Sequence, residues 1–514
     1  MAYLCNVSAA KKVDLEDDCI VKFYRELTVG ILTFVLASAG AHAFDEASGY
    51  RSLVESERVR AFSSALVTAL QSRQGALAAR AALSIGRTKD VRGAVPLRER
   101  IARGGDPAVR ALALFALGLL ADKTDVASDV RRGLIDPADV VRAAATDAAA
   151  RVGALSLNRH ASTMLLRARS GLIAPLERSL GEDPNAAVRG RAASALATYG
   201  KDPAAPAIAA FLIDRLAREK NADVRMHVAW ALGRSFGSVV PLAALRAGMT
   251  DPNELVRIGL VRAAGRSNDP AIVPAVRARL ADRAWRVQEE ANESLRILAG
   301  GKRTEHLTRL QPALNEPTPG PEDTTPAIAR EHNLGGPRAP RADDARLDLA
   351  LHPLTAAAFG APVPGLHPRV RIGTTEGTIV VRLYPEWAPL TVANFLGLVD
   401  RGYYDNLRWF RIVPDFVVQT GDITDSGDGD AGYMIPAEEN PLEQRAGIIS
   451  MGLNYTADGA QRDSAGTQLY ITISPALHLN RDFTVFGEIE SGMSTLGRLI
   501  ESDRMTRVER IGDD

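Results

Sequence analysis

The sequence predicts a multidomain protein: an all-α solenoid of repeated helix pairs, a proline-rich linker, and a separate C-terminal domain. Three observations predict it. At 514 residues the chain is too long for one compact core. A pattern of Asp, Arg and Gly recurs through the first part, and it stops at a crowd of prolines beyond which residue usage changes.

The first element is an address label, residues 1–43. Lys22 and Arg25 precede the apolar run LTVGILTFVL from Leu27 to Leu36, and small residues then lead to Ala41-His42-Ala43. Positive, then apolar, then small-x-small is the order of a secretory signal peptide cut after Ala43. The run is short for a membrane span. The expected location is therefore the periplasm, after export; the alternative is an uncut signal anchor in the inner membrane that faces the periplasm. The acidic leader with Asp14, Glu16, Asp17 and Asp18 is foreign to such peptides and places the expected true start nearer Lys22. Cys5 and Cys19 are the only cysteines and both precede the cut, so the mature chain would carry no thiol and no disulfide framework.

Residues 44–300 form the second element. Copies begin at Asp106, Asp136, Asp183, Asn221 and Asp251, and their arginines are Arg110, Arg142, Arg189, Arg225 and Arg257. A weaker copy holds Arg80, and a later one near Asp282 holds Arg286. The steps from Arg80 onward are 30, 32, 47, 36 and 32 residues, so an insertion lies between Arg142 and Arg189. Asp at the N-cap followed by Pro starts a helix. Val109, Leu112, Ala113, Ala116 and Leu117 then make one apolar stripe, and Gly118, Gly200, Gly233 and Gly265 are expected to close their helices. One helix pair cannot bury such a stripe alone, so successive pairs stack. These copies resemble HEAT repeats, particularly the short kind also found in phycobilin lyases. The resemblance implies that the repeated Asp and Arg form a structural ladder between neighbours, and it leaves the solenoid free to hold a protein partner. Trp230 and Trp285 are read as packing residues.

Residues 301–367 are the linker. Pro312, Pro317, Pro319, Pro321 and Pro326 crowd together, and Pro337, Pro340, Pro362 and Pro364 follow among Gly and charged residues. Such a segment is semi-rigid and is expected to keep the flanking domains apart while letting them reorient. His352 and His367 are read as linker residues, and the eight histidines show no metal spacing.

The last element, residues 368–514, opens with TTEGTIVVRLYPEWAPLTVANFLGLVDRGYYDN, a hairpin strand followed by a helix from about Pro389. Then comes WFRIVPDFVVQTGD, from Trp409 to Asp422, where Arg411 stands among apolar residues that can hold a proline ring. Rotation about a prolyl peptide bond faces a barrier of about 18–20 kcal/mol because the nitrogen lone pair is shared with the carbonyl. No bond needs to break. A fixed guanidinium aimed at the prolyl nitrogen binds the twisted state better than either planar isomer, and arginine keeps both its charge and its rigid fork of donors.

With GIISMG from Gly447, GTQLYITIS from Gly466 and FTVFGEIESGM from Phe483, these ordered blocks resemble the cyclophilin family of peptidyl-prolyl isomerases. The resemblance implies a mainly-β cyclophilin-like barrel with flanking helices, and isomerase activity on proline-containing polypeptide clients with neither cofactor nor metal. It makes Arg411 the catalytic donor and Gln419 the polar partner that orients the substrate backbone. Phe416, Val417, Tyr470 and Leu479 would wall the proline pocket; Gly452, Leu453 and Gln468 would hold the peptide; His478 and Phe483 would border it. Barrel core is the other reading of the apolar members. Phe410, Val417, Leu453, His478 and Phe483 replace the family's frequent histidine, methionine, asparagine, tryptophan and histidine. Losing that indole removes an apolar wall and an N–H donor, which counts against cyclosporin binding. These departures keep open a second function, a non-catalytic scaffold that grips proline peptides. Lys plus Arg equals Asp plus Glu at 62 each, which argues against a nucleic-acid partner found by bulk charge, and a membrane contact is expected only if the signal segment stays uncut.

Overall fold

The structure, a computed structural model, describes residues 43–157, 161–303, 367–425, 427, 432–456 and 459–512. Most of the address label and most of the linker lie outside these residues. Past the opening helix Ala43–Arg58, seven helices stack in one row: α1 (Gly75–Arg87), α2 (Pro107–Leu119), α3 (Asp139–Leu155), α4 (Ala186–Leu196), α5 (Ala222–Ala231), α6 (Glu254–Gly265) and α7 (Trp285–Leu298). Each packs on the next, and a second row, for example Ala94–Ala102 and Ile173–Glu182, covers the outer side. The stripe Val109, Leu112, Ala113, Ala116 and Leu117 is buried. The extra length between Arg142 and Arg189 contains one further helix, Thr163–Ser170.

The arginine ladder is continuous from Arg110 to Asp282, whereas Arg80 and Arg286 turn back to Glu57 and Glu254 of the preceding helices. Arg110 reaches Asp136 at 2.8 Å, Arg142 reaches Asp183 at 2.6 and 3.0 Å, and Arg189 reaches Glu219 at 2.9 and 3.0 Å. Arg225 reaches Asp251 at 2.8 and 3.2 Å, and Arg257 reaches Asp282 at 2.9 and 2.7 Å. Each also donates to one or two carbonyls of the turn before its own helix, as Arg110 does to Gly105 and Arg142 to Asp136 and Pro137. Each planar fork thus ties a turn to the following repeat.

Two local expectations are corrected. Asp-Pro begins the helix only at α2, where Asp106 caps Ala108 N–H. At α4, α5 and α6 the caps are Asn185, Asn221 and Asn253, while Asp183 and Asp251 sit two residues earlier and face the preceding arginine. The carboxylate is needed between repeats, so the cap moves to asparagine. The glycines end no helix by a left-handed turn: Gly118, Gly200, Gly233 and Gly265 all have negative φ, and although α6 ends at Gly265 and Gly200 caps the turn that continues α4, Gly118 and Gly233 lie inside helical segments. Gly118 lies inside α2, where a Cβ would stand 2.9 Å from the Ala148 Cα of α3. Close helix approach, not a left-handed turn, requires it.

The C-terminal domain is an eight-stranded antiparallel sheet curled around a core, with strands β1 (Arg369–Thr374), β2 (Gly377–Leu383), β3 (Arg411–Val413), β4 (Val417–Thr420), β5 (Ile448–Met451), β8 (Leu469–Thr472), β9 (Val485–Ser491) and β10 (Met505–Ile511). The order is β10-β1-β2-β9-β5-β8-β4-β3, and β6 (Tyr455–Thr456) with β7 (Gly459–Ala460) form a small separate hairpin. The two sheet edges approach through residues 406–409, where Trp409 N–H donates to Asp503 O at 3.2 Å and Met505 N–H to Leu407 O at 2.9 Å. Helix α8 (Pro389–Asp400) caps the core, which holds Phe395, Trp409 and Phe486.

The expectation of domains held apart does not survive. The α1–α7 row faces the barrel and binds it through charged pairs. Arg87, fully buried, donates to Glu439 O (3.0 Å), Trp387 O (2.7 Å) and Glu438 O (3.2 Å) of the barrel. Lys89 pairs with Glu439 at 2.6 Å, Arg445 with Asp223 at 3.0 Å, Arg481 with Asp147, Arg151 with Asp482, and Arg262 with Asp415. A tether's composition says nothing about the surfaces it joins; here those surfaces are complementary.

Glu57 anchors this junction from the solenoid side, bonding Arg87 at 2.8 Å and also Arg80 and Ser84. Burial pushes its carboxyl up, but Arg80 and Arg87 outweigh this and hold it at about 2, below the ordinary 4.5. A depressed carboxylate stabilises the fold above its ordinary value and loses that contribution as pH falls. Denaturant midpoints measured across pH will therefore drop between about 4.5 and 2 in the wild type, and Glu57→Gln will flatten that part of the profile. At neutral pH Glu57→Gln, which leaves two buried guanidiniums without their carboxylate, will cost about 3–5 kcal/mol in the same measurement.

Candidate functional site

Strands β3 and β4 are directly paired, with Arg411 opposite Gln419 and Val413 opposite Val417; β4 in turn pairs with β8, placing Gln419 opposite Tyr470. The period of two sends Arg411 and Val413, with Val417 and Gln419, to one side of the sheet, while Ile412 and Val418 enter the barrel core. On that side a second, smaller apolar cluster forms from Val413, Val417, Tyr470, Ala476, Leu479 and Phe483, with Phe416 and Leu453 packed at its margin. It is separate from the core that holds the barrel together.

A polar chain borders this cluster. Arg411 Nη1 donates to Gln419 Oε1 at 3.2 Å, Gln419 Nε2 to Gln468 Oε1 at 3.1 Å, and Gln468 Nε2 to Gly427 O at 2.9 Å. These bonds fix which way each amide faces. Arg411, Gln419 and Gln468 are half-buried, so the row is reachable from solvent yet shielded along its stems. Gly452 N–H donates to Gln468 O at 2.8 Å, which brings the Gly452–Leu453 backbone alongside.

Every residue singled out from the sequence lies in this neighbourhood. Phe483 meets Tyr470 edge-on at 5.8 Å. Leu477–Leu479 is a short helical turn, and His478 at its centre stacks on Phe416 at 5.3 Å. The sequence reading missed a second ring: Trp230, from helix α5 of the solenoid, also stacks on His478 at 6.3 Å. Burial, then Arg234, Arg262 and Arg266, hold His478 well below the ordinary histidine range, so its ring is neutral. Tyr455 was also missed. It is 67% exposed on the β6–β7 hairpin and lies 6.5 Å from Phe483, and an exposed aromatic ahead of a small turn was the available signal.

Asp415 joins the site to the solenoid. It precedes Phe416, adopts a left-handed backbone (φ 52°), accepts from Ser474 and pairs with Arg262. Burial dominates its titration and raises the carboxyl to about 6, with Arg262 opposing. Among the described residues no group of three or more His, Cys, Asp or Glu is placed to hold a metal ion. The arrangement therefore offers a fixed cationic donor, a row of amide groups and an apolar cluster of aromatic and aliphatic side chains.

Family models match both parts of the chain. The family model for cyclophilin type peptidyl-prolyl cis-trans isomerases matches residues 369–511, and the HEAT repeat model matches residues 173–253, 209–296 and 242–321. Peptidyl-prolyl cis-trans isomerase B of Bacillus subtilis is 40% identical over 132 residues, which is 25% of this chain and 88% of that protein. Peptidyl-prolyl cis-trans isomerase-like 1 of Gibberella zeae is 37% identical over 131 residues, 24% of this chain and 77% of that protein. A solved cyclophilin type isomerase from Cryptosporidium parvum covers 29% of this chain and 99% of its own at 26% identity, with a TM-score of 0.27. The chain belongs to the cyclophilin-type peptidyl-prolyl cis-trans isomerases, with HEAT repeats preceding the isomerase domain.

Proposed function

We propose that this protein catalyses cis/trans exchange at X-Pro bonds of polypeptide clients, and so assists their folding, with Arg411 as the catalytic donor. The observation that carries the reading is the Arg411–Gln419 pair beside an apolar cluster distinct from the barrel core. A proline ring in the slot among Phe416, Val417, Tyr470, Leu479 and Phe483 leaves water, and the guanidinium meets the prolyl nitrogen as its lone pair leaves resonance. Gln419 holds the fork in place through its Oε1, while Gln468 orients the Gln419 amide. The Gly452–Leu453 backbone and Gln468 line the path of the peptide chain.

His478 takes a place in the wall as a neutral ring stacked on both Phe416 and Trp230. The solenoid thereby supports the wall from behind. A further client or assembly partner of the HEAT repeats would meet the second helix row, because the α1–α7 face is occupied by the barrel. The second reading, a scaffold that grips proline peptides without turning them over, rests on Leu453, His478 and Phe483. For location we favour export to the periplasm with cleavage after Ala43, on the charge, apolar run and small residues of the leader; the uncut anchor in the inner membrane is the alternative. Neither nucleic acid nor, after cleavage, the membrane is an expected partner.

In a protease-coupled assay on a prolyl peptide, the wild type will accelerate the slow phase and Arg411→Ala will reduce kcat/KM by about 10²–10³. An unchanged rate in that variant would remove Arg411 from the mechanism, and no acceleration by the wild type would favour the scaffold. Mass spectrometry of the natural protein will find an N-terminal Phe44; a species that retains Cys19 would count against processing.

A further inference from the structure

Four arginines of the solenoid gather behind the wall of the proline pocket. Arg234 lies on the π-helical turn Leu232–Phe236 that extends α5, Arg262 and Arg266 lie on and just after α6, and Arg303 lies after α7. Arg262 bonds Glu290 at 2.8 Å and also Asp415; Arg303 bonds Glu290 at 2.6 and 3.0 Å. Arg266 donates to the carbonyls of Gly233 (2.8 Å) and Arg234 (2.5 Å), which fastens it to the end of the α5 segment. The third nearby carboxylate, Glu293, pairs with Arg296 at 2.8 Å.

Glu290 and Asp415 thus face four guanidiniums, and the positive charge of this corner is incompletely balanced. Three of the arginines have a structural explanation. Arg262 fastens Asp415 and Glu290, Arg303 reinforces Glu290, and Arg266 serves carbonyls at a helix end, where a cation is favoured. Arg234 has none. It is exposed, and among the described residues no carboxylate lies within ion-pair distance of it. Desolvation and then Arg262 and Arg303 lower its proton affinity, and desolvation with Arg262, Arg234 and Arg303 brings Arg266 to about 10. Like-charged neighbours around an exposed guanidinium raise the local positive potential, which favours an incoming anion, and π-turns recur at functional sites. The cluster adjoins the pocket wall: Asp415 precedes Phe416, and His478 stacks on both Phe416 and Trp230, itself four residues before Arg234.

We propose that Arg234, with Arg262 and Arg266 behind it, forms a subsite on the solenoid for an anionic group of the same peptide whose proline occupies the barrel pocket. This rests on the isomerase reading above, and it gives the enzyme a substrate class: prolines flanked by a carboxylate or phosphoryl side chain. Neither half of the chain holds the complete recognition site.

The test uses the full chain and matched prolyl peptides that carry Gln, Glu or phosphoserine in turn at each position within three residues of the proline. For at least one position, kcat/KM for the Glu or phosphoserine peptide will exceed that for Gln by about three-fold or more at low salt, the scale of an exposed ion pair. At about 0.5 M salt the ratio will shrink toward one. Arg234→Ala will bring it to one, and Arg234→Glu below one. Preference for phosphoserine without Glu assigns the phosphoryl source, and preference for Glu assigns the carboxylate. A ratio of one at every position, or a ratio that Arg234→Ala leaves unmoved, overturns the subsite. Turnover of the Gln peptide by the wild type keeps that failure distinct from failure of the isomerase assignment.

Discussion

Arg87 carries a permanent charge and five donors in a place that water does not reach. Its Nη1 meets Glu57, its Nε meets Glu439 O, and its Nη2 meets Trp387 O and Glu438 O. One half of the chain supplies the anion and the other supplies the carbonyls. Stripping a guanidinium of water costs several kcal/mol, and only the complete set of partners offsets that. The same requirement operates at Asp147, held between Arg191 and Arg481, and at Glu443, held by Arg445 with Arg191 beyond. Apolar faces tolerate sliding; paired buried charges do not, so the orientation of barrel on solenoid is specified at several separated points. The pocket inherits this precision, because Trp230 reaches His478 only in that orientation.

The layout of the candidate site was legible because its information is local. Arg411 and Gln419 are eight residues apart on one hairpin, and the alternation between them sends both side chains to one side of the sheet. The ladder was legible for a related reason: a repeated residue at a repeated phase implies a repeated contact, and Arg110, Arg142, Arg189, Arg225 and Arg257 behave alike.

What the sequence hid was of two kinds. The glycines of the repeats are ambiguous one at a time, since a left-handed helix end and a tight helix crossing both call for a missing Cβ; only the neighbour, Ala148 over Gly118, decides. The interface was hidden for lack of proximity in sequence. Asp223 and Arg445 are 222 residues apart, Asp147 and Arg481 are 334 apart, and each alone reads as an ordinary charge on a helix or loop. A proline-rich connection between them suggested independence, although linker stiffness constrains reach rather than affinity.

The ionic make-up of the docking face also bears on how the chain is made. Arg87 must wait for partners some 350 residues further along, so on a ribosome the repeats emerge well before the strands that complete them. An unfinished face rich in Arg, Lys, Asp and Glu stays hydrated during that delay, where an oily one would recruit neighbouring nascent chains. A late, charge-guided closure is thus compatible with solubility at every stage of synthesis.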